Sequence, residues 1–547
     1  MTEATKQPCD EGVILAGEAV RPVPVSAGLW VLAATILGSS MVFINGSTVN
    51  VALPAFQREL GATVADIQWI VNAYTLFLAA LILLGGVLGD RYGRRRVFGA
   101  GVALFALASI GCGAAPTAST LIVARAVQGV GGALLTPGSL AIISAFFEDA
   151  ERGRAIGLWA GFSSLTSALG PLLGGWLIDT ISWRWIFYMH LPLAAIVLLI
   201  TWFGVPETQN DAERATKGQS GGAALDWRGA LLVTLGLGGL TYGLIASSER
   251  GFDDVAVWVA IVAGVALLAA FVWVESGQES PMMPLHLFRS RTFSGANGLT
   301  LLLYTALGGA FFFLPLNLIQ VQGYSATAAG AALAPTILLL SLLSSWAGGL
   351  VSRVGARLPL VVGPAIAAAG FFLLSLPGIG GSYWTTFFPG LVVLGVGLAV
   401  AVAPLTTTVM SAVSRQYAGT ASGINNAVAR VASLLAIAGL GIVMLNVFSS
   451  ALQTRMQAMD VSPDDRQAVM AQRTDLANIQ PPSSMAEAQQ AQVERAVNEA
   501  FVDGFRVVLY IMTALALGSA LIAAVTIEPE VDKGLGDASA HGRARQE

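Results

Sequence analysis

Fourteen separate stretches of mostly apolar residues interrupt this chain, each near the ~20 residues that a helix needs to cross the hydrocarbon core of a bilayer. They run approximately over 27–50, 66–88, 97–115, 119–147, 155–178, 185–204, 229–247, 255–274, 295–320, 327–351, 359–376, 384–412, 423–447 and 505–527. In hydrocarbon an unpaired backbone N–H or C=O is so costly that each span must satisfy its own, which predicts an all-α polytopic membrane protein. Composition agrees: 55% of the 547 residues are hydrophobic and 11% charged, whereas soluble domains carry roughly 25% charged residues.

Charge sets the expected orientation. Arg91, Arg94, Arg95 and Arg96 crowd one short loop, and Arg152, Arg154, Arg214, Lys217, Arg228, Arg289, Arg291, Arg353, Arg357 and Arg415 fall on the same side. The opposite short loops hold Arg58, Arg184 and Arg250, so the positive-inside rule places both termini in the cytoplasm. The tail 1–26 contains Glu3, Lys6, Asp10, Glu11, Glu18 and Arg21 ahead of any long apolar run, unlike a cleaved signal peptide. A net charge of -4 with scattered cations offers no field for nucleic acid, and Cys9 and Cys112 read as free thiols, too few for a disulfide framework or thiolate metal site. No phosphate loop, His-Glu-x-x-His motif or hydrolytic triad is present, so neither an enzyme nor a cofactor or metal site is expected.

The loop after the second span, GVLGDRYGRR from Gly86, returns in weaker form after the tenth as GGLVSRVGAR from Gly348. Gly86, Arg91, Gly93 and Arg95 match Gly348, Arg353, Gly355 and Arg357, with Ser352 where Asp90 stands. Equivalent loops eight spans apart predict two six-helix halves with two helices inserted between them. The expected division is a tail to 26, an N-terminal half over 27–204, a linker with two inserted spans over 205–294, a C-terminal half over 295–527 and a tail over 528–547. The second half carries a long outer segment, about 448–504, expected to be a solvated cap; after Pro481 and Pro482, Val493, Val497 and Phe501 repeat at helical spacing and predict an amphipathic helix leading into the last span.

Four motifs carry chemistry. In GGVLGDRYGRRR (85–96), Gly93 permits a tight turn between an acid at a helix exit and four cations. In LIVARAVQGVGGA (121–133), Arg125 and Gln128 share one turn of an apolar span; a cation at bilayer depth costs at least about 2.5 kcal/mol, so it must face protein or a water-filled cavity. GPLLGG (170–175) sets Phe162, Thr166, Gly170 and Gly174 on one stripe beside Pro171 and Gly175, where small residues allow close helix approach and the proline bends the helix. SWRWIF (182–187) follows. A topology anchor, a structurally bonded arginine and plain helix packing would each account for one of the first three.

Together, in order and spacing, these motifs resemble the fourteen-helix drug:proton antiporter branch of the major facilitator superfamily, over about residues 27–527. The resemblance implies the major facilitator fold and a conformational latch at Asp90, Arg91, Gly93 and Arg94, whose acid faces the positive end of a helix in the other half. It further implies proton coupling at Arg125 and an antiporter motif at Gly170, Pro171, Gly174 and Gly175, associated with export. Two departures stand out. The first span reads INGSTVNVALP from Ile44, with Asn45 at the position usually acidic and Ser47 at the usual Thr; His190 replaces the usual Asn before Leu191 and Pro192.

With no Asp or Glu expected well inside a span, the remaining proton-coupling candidates are His190 and Asp66, although a hydrogen-bonded interfacial histidine and a helix N-cap account for them as well. Candidate cavity residues are Asn45, Ser47, Asn72, Tyr74, Gln128, Phe162, Tyr304, Asn317, Asn425 and Arg430. Two embedded cations with no embedded anion favour an amphipathic cargo that is neutral or acidic. The expected protein is a secondary active exporter of small molecules, multipass in a bacterial cytoplasmic membrane, with the lipid bilayer and in some settings a periplasmic adaptor as partners. A dedicated exporter of one endogenous metabolite, lipid or fatty acid remains open, as does a non-transporting sensor or scaffold.

Overall fold

The computed structural model describes residues 25–147, 149–206, 226–278, 281–414 and 417–528. The tails and most of the linker before the inserted spans therefore lie outside the described residues. Fourteen helices are long and apolar enough to cross a membrane. In chain order they are α1 (Val25–Leu60), α2 (Val64–Tyr92), α3 (Arg94–Ala114), α4 (Ala118–Phe146), α5 (Asp149–Thr180), α6 (Trp185–Gly204), α7 (Trp227–Arg250), α8 (Val255–Gly277), α9 (Arg291–Leu316), α10 (Ala326–Gly348), α11 (Arg357–Leu374), α12 (Phe388–Ser411), α13 (Ala418–Ala458) and α14 (Glu487–Thr526).

Several helices outrun the apolar stretches that betray them. α1 continues past residue 50 because its outer turns are packed as tightly as its middle: Leu53 and Phe56 are fully buried, and Phe56 meets Trp183 edge-on at 5.0 Å. α13 and α14 run on together beyond the membrane, so the segment expected as a solvated cap is folded. Met456, Val469, Leu476 and Val493 are buried in it, and Arg455 ties α13 to α14 through Asp503 at 2.7 Å and Glu499 at 3.4 Å. The predicted amphipathic helix is the first part of α14, with Val493, Val497 and Phe501 all turned inward.

Two six-helix halves, α1–α6 and α9–α14, lie side by side, and α7 with α8 forms a hairpin across one flank of their seam. Leu237 of α7 packs against Leu76 of α2 and Leu434 of α13, one from each half, and Tyr242 lies 6.4 Å from the Trp69 ring. On the other flank α5 meets α10. A Cβ on Gly175 would collide with the Ala326 carbonyl, and one on Gly330 with the Pro171 carbonyl, so the antiporter motif is a backbone-to-backbone contact between halves. The two loops matched in sequence share a geometry too: Gly93 has φ 98° and Gly355 φ 78°, values side chains resist.

Candidate functional site

The seam places polar side chains from four helices near the middle of the molecule. α4 lies so close to α2 that a Cβ on Gly129 would strike the Tyr74 carbonyl, and this approach brings Arg125 onto α2. Its Nε donates to the Ile70 carbonyl at 3.0 Å, and its Nη1 donates to Asn45 Oδ1 at 3.1 Å and to Gln128 Oε1. The guanidinium lies 4.3 Å from the Tyr74 ring centroid, a cation–π contact in a fully desolvated setting. Gln128 passes the chain of bonds on, its Nε2 donating to Ser109 Oγ at 2.8 Å. Arg125 is thus met by amide and carbonyl oxygens; Asn45, at the departure from the family pattern, is one of its direct partners.

Across the seam, Arg430 of α13 acts electrostatically on the Tyr74 and Tyr304 hydroxyls, and its Nε has no hydrogen-bond partner. Asn45 Nδ2, the Tyr74 hydroxyl and both polar atoms of Asn72 are buried and unsatisfied as well, though Asn45 comes close to the Tyr74 hydroxyl. Buried polar groups rarely stay unpaired, and the free Asn45 amide, Tyr74 hydroxyl and Arg430 Nε are groups that a polar or negatively charged guest would satisfy.

The other candidates spread out. Ser47 bonds back to the Phe43 and Ile44 carbonyls, and its hydroxyl fills the space a Gly170 side chain would need, with Thr48 donating to the Gly170 carbonyl at 3.0 Å. Asn425 donates to Thr300 at 2.7 Å and Asn297 at 3.2 Å. Asn317 is buried at the outer end of α9, where the helix widens into a short π turn, and accepts from Gln322 at 3.4 Å, away from the Arg125 cluster. Phe162 is 49% exposed on α5. Asp66 is the third residue of a capping box on α2, accepting from the Thr63 N–H at 3.0 Å. His190 is fully buried, Nε2 3.1 Å from the Met41 carbonyl and its ring 5.4 Å from Phe105. At the latch loop, Asp90 pairs with Arg94 of the same loop at 2.9 Å and keeps 59% of its side chain exposed, while Arg94 also donates to the Ala141 carbonyl and Arg91 lies over Tyr92.

Three features were not read from the sequence. The first is a set of ties between halves on the face away from the Arg-rich loop: Gln320 to Gln57 at 2.8 Å, Gln57 to the Asp475 carbonyl at 3.3 Å, Gln68 to the Ile437 carbonyl at 3.1 Å, and Asp179 to the start of α10. The second is Asn297 and Thr300 beneath Asn425. The third is a buried acid at a span end, just past the apolar stretch: Glu275, in the last turn of α8, is 2% exposed. It faces Asp226, the N-cap of α7, and an unpaired oxygen of each, Oε1 and Oδ2, crowds the point where a Gly229 Cβ would sit. Burial raises the Asp226 carboxyl, but bonds with Glu275, Gln278 and the Gly229 N–H, and the nearby Arg228, outweigh it and hold the group below its usual range. Two carboxyls this close are stable when one of them carries a proton that the other accepts.

Two six-helix halves with fourteen membrane-length helices define the fold of a membrane transporter of small molecules. Residues 35–437 match the Major Facilitator Superfamily model, and the chain belongs to that family; it is not an enzyme. It is 35% identical over 494 residues to "Multidrug resistance protein Stp" of Mycobacterium tuberculosis, covering 89% of each chain. It is 30% identical over 508 residues to the "Tetracenomycin C resistance and export protein" of Streptomyces glaucescens, covering 92% of each. Among solved structures, the inward-open xylose transporter XylE of E. coli aligns at a TM-score of 0.56 with 13% identity, covering 93% of this chain and 98% of that one.

Proposed function

We propose that the protein is a secondary active exporter of amphipathic small molecules, neutral or acidic, working by alternating access in a bacterial cytoplasmic membrane with both termini inside. The observation that carries the cargo class is the pair of embedded cations, fully buried Arg125 and half-buried Arg430, both acting on Tyr74, with Arg125 held by amide and carbonyl rather than carboxylate partners and Arg430 Nε left without a partner. Export as the direction is supported by the antiporter motif at the α5–α10 seam and by relatives whose names describe resistance and export. The face carrying the Arg-rich loop is read as cytoplasmic from the charge bias.

Energy comes from proton entry, through a group other than residue 45, because Asn45 has no proton to exchange and is engaged by Arg125. Asp66 and His190 are the titratable candidates, with Arg125 coupling cargo to the change of state; each acid or base must first give up its bond, to Thr63 or to Met41. The test is cargo-dependent proton release from purified protein, repeated with Asp66→Asn and His190→Gln, beside a cargo panel in sealed vesicles. Release that survives both changes removes these two as carriers. Flux of one endogenous acid or lipid alone would favour a dedicated exporter, and absence of any proton-driven flux would favour a sensor.

A further inference from the structure

We infer that Asp179 is an extracytoplasmic latch, a carboxylate from one half that caps a helix of the other and holds the outer end of the cargo path shut. The inference rests on the exporter reading, but its geometry stands separately. Asp179 lies in the last turn of α5, one turn beyond Gly175. Its Oδ1 accepts the Ala326 N–H at 3.1 Å, and its Oδ2 accepts the Thr327 N–H at 2.8 Å and the Thr327 hydroxyl at 2.6 Å. The first turn of any helix carries four N–H groups without partners inside the helix. In α10 the hydroxyl of the N-cap Ser325 takes that of Ala328 at 3.1 Å, and the first ordinary helix bond runs from Ala329 to the Ser325 carbonyl at 2.9 Å. Those of Ala326 and Thr327 go to Asp179, so two of the orphan groups of the α10 first turn are satisfied by the opposite half.

A carboxylate is the suitable group for this task. It has no donor, so it can accept all three bonds at once, and its charge sits at the positive end of α10. The contact is also able to open. Thr327 is half-buried with its bonds to Asp179 at the surface, and a crevice of about 250 Å³ beside Asp179, lined by Arg58, Tyr324 and Ser325 among others, admits water to replace each bond as the halves part. Gly175 and Gly330 next to it set how closely the backbones approach, while Asp179 sets how firmly they stay. At the cytoplasmic face the expected latch acid, Asp90, is bound within its own loop and largely exposed. The two acids sit at the ends of α2 and α5 on opposite faces, and in this state the outer one is engaged across the seam.

The test reads the outer seal directly. In a chain carrying Cys9→Ser and Cys112→Ala, Asn50→Cys places a thiol on α1 two turns before Gln57, on the face Gln57 uses to reach Gln320. A membrane-impermeant maleimide is added outside sealed cells, without cargo. Labelling is expected to be slow in the parent, at least about tenfold faster with Asp179→Ala, and raised by a smaller factor with Thr327→Val, which keeps both backbone bonds. Folding is checked on matched chains retaining the fully buried Cys112, which must stay unlabelled. Should Asp179→Ala expose Cys112, Thr327→Val decides. Labelling unchanged in the folded variants overturns the latch, even where cargo flux is lost. Faster labelling in a chain whose parent moves no cargo keeps the latch and removes the exporter reading.

Discussion

Arg125 is fully desolvated, yet each of its partners is neutral: a backbone carbonyl, two side-chain amides and an aromatic face. A guanidinium so placed keeps its charge available to whatever enters beside it. Asn45→Asp would set a carboxylate about 3 Å from Arg125 and convert a receptive cation into a closed ion pair. The expected outcome is roughly tenfold weaker binding of an acidic cargo, with a neutral analogue of the same shape affected less, measured as paired Kd values on purified protein. Proton release should be unaffected if coupling runs elsewhere. Much of this cluster was legible in the sequence, because Asn45, Tyr74, Gln128 and Arg430 interrupt apolar runs and a polar group at that depth needs a reason. Asn317 met the same test but sits at the outer end of α9; composition shows that a residue is embedded without showing at what depth its helix meets the others. Asp179 escaped notice because its meaning depends on N–H groups 147 residues further along the chain.

At the scale of elements, the inserted hairpin is pinned at its open end, where α7 begins and α8 finishes, by the carboxyls of Asp226 and Glu275 closing over Gly229. Any side chain at 229 would strike both. Gly229→Ala is therefore expected to destabilise the protein by about 1–3 kcal/mol through overpacking, read as a lower midpoint in thermal unfolding in detergent. The sequence placed α8 one residue short of Glu275, since hydropathy finds the apolar stretch and not the last turn that continues it. The same blindness explains the long outer ends of α1, α13 and α14: those turns are held by packing such as Phe56 on Trp183 and by the Arg455–Asp503 pair, neither of which has a hydropathy signature. What hydropathy did locate was the existence of all fourteen helices, because the bilayer demands an apolar run from each.

For the whole molecule, transport requires the two halves to part at one face and meet at the other, and the acid at the end of α2, here bonded to Arg94 of its own loop, is the group we propose for that second role. Asp90→Asn should leave insertion and folding intact, judged by size-exclusion profile and thermal midpoint, while abolishing cargo flux; full flux in the variant would remove Asp90 from the cycle. The internal repeat made this symmetry visible through Gly93 and Gly355, two glycines in the same left-handed turn. The uncompensated cations have an electrical consequence. A cargo with one negative charge, bound opposite Arg125 and Arg430 and released outside, moves down an interior-negative membrane potential and gains about 2.3 kcal/mol per 100 mV. Its export should quicken with an imposed potassium diffusion potential even when both sides are held at equal pH, whereas a neutral cargo carried without protons would show no such response.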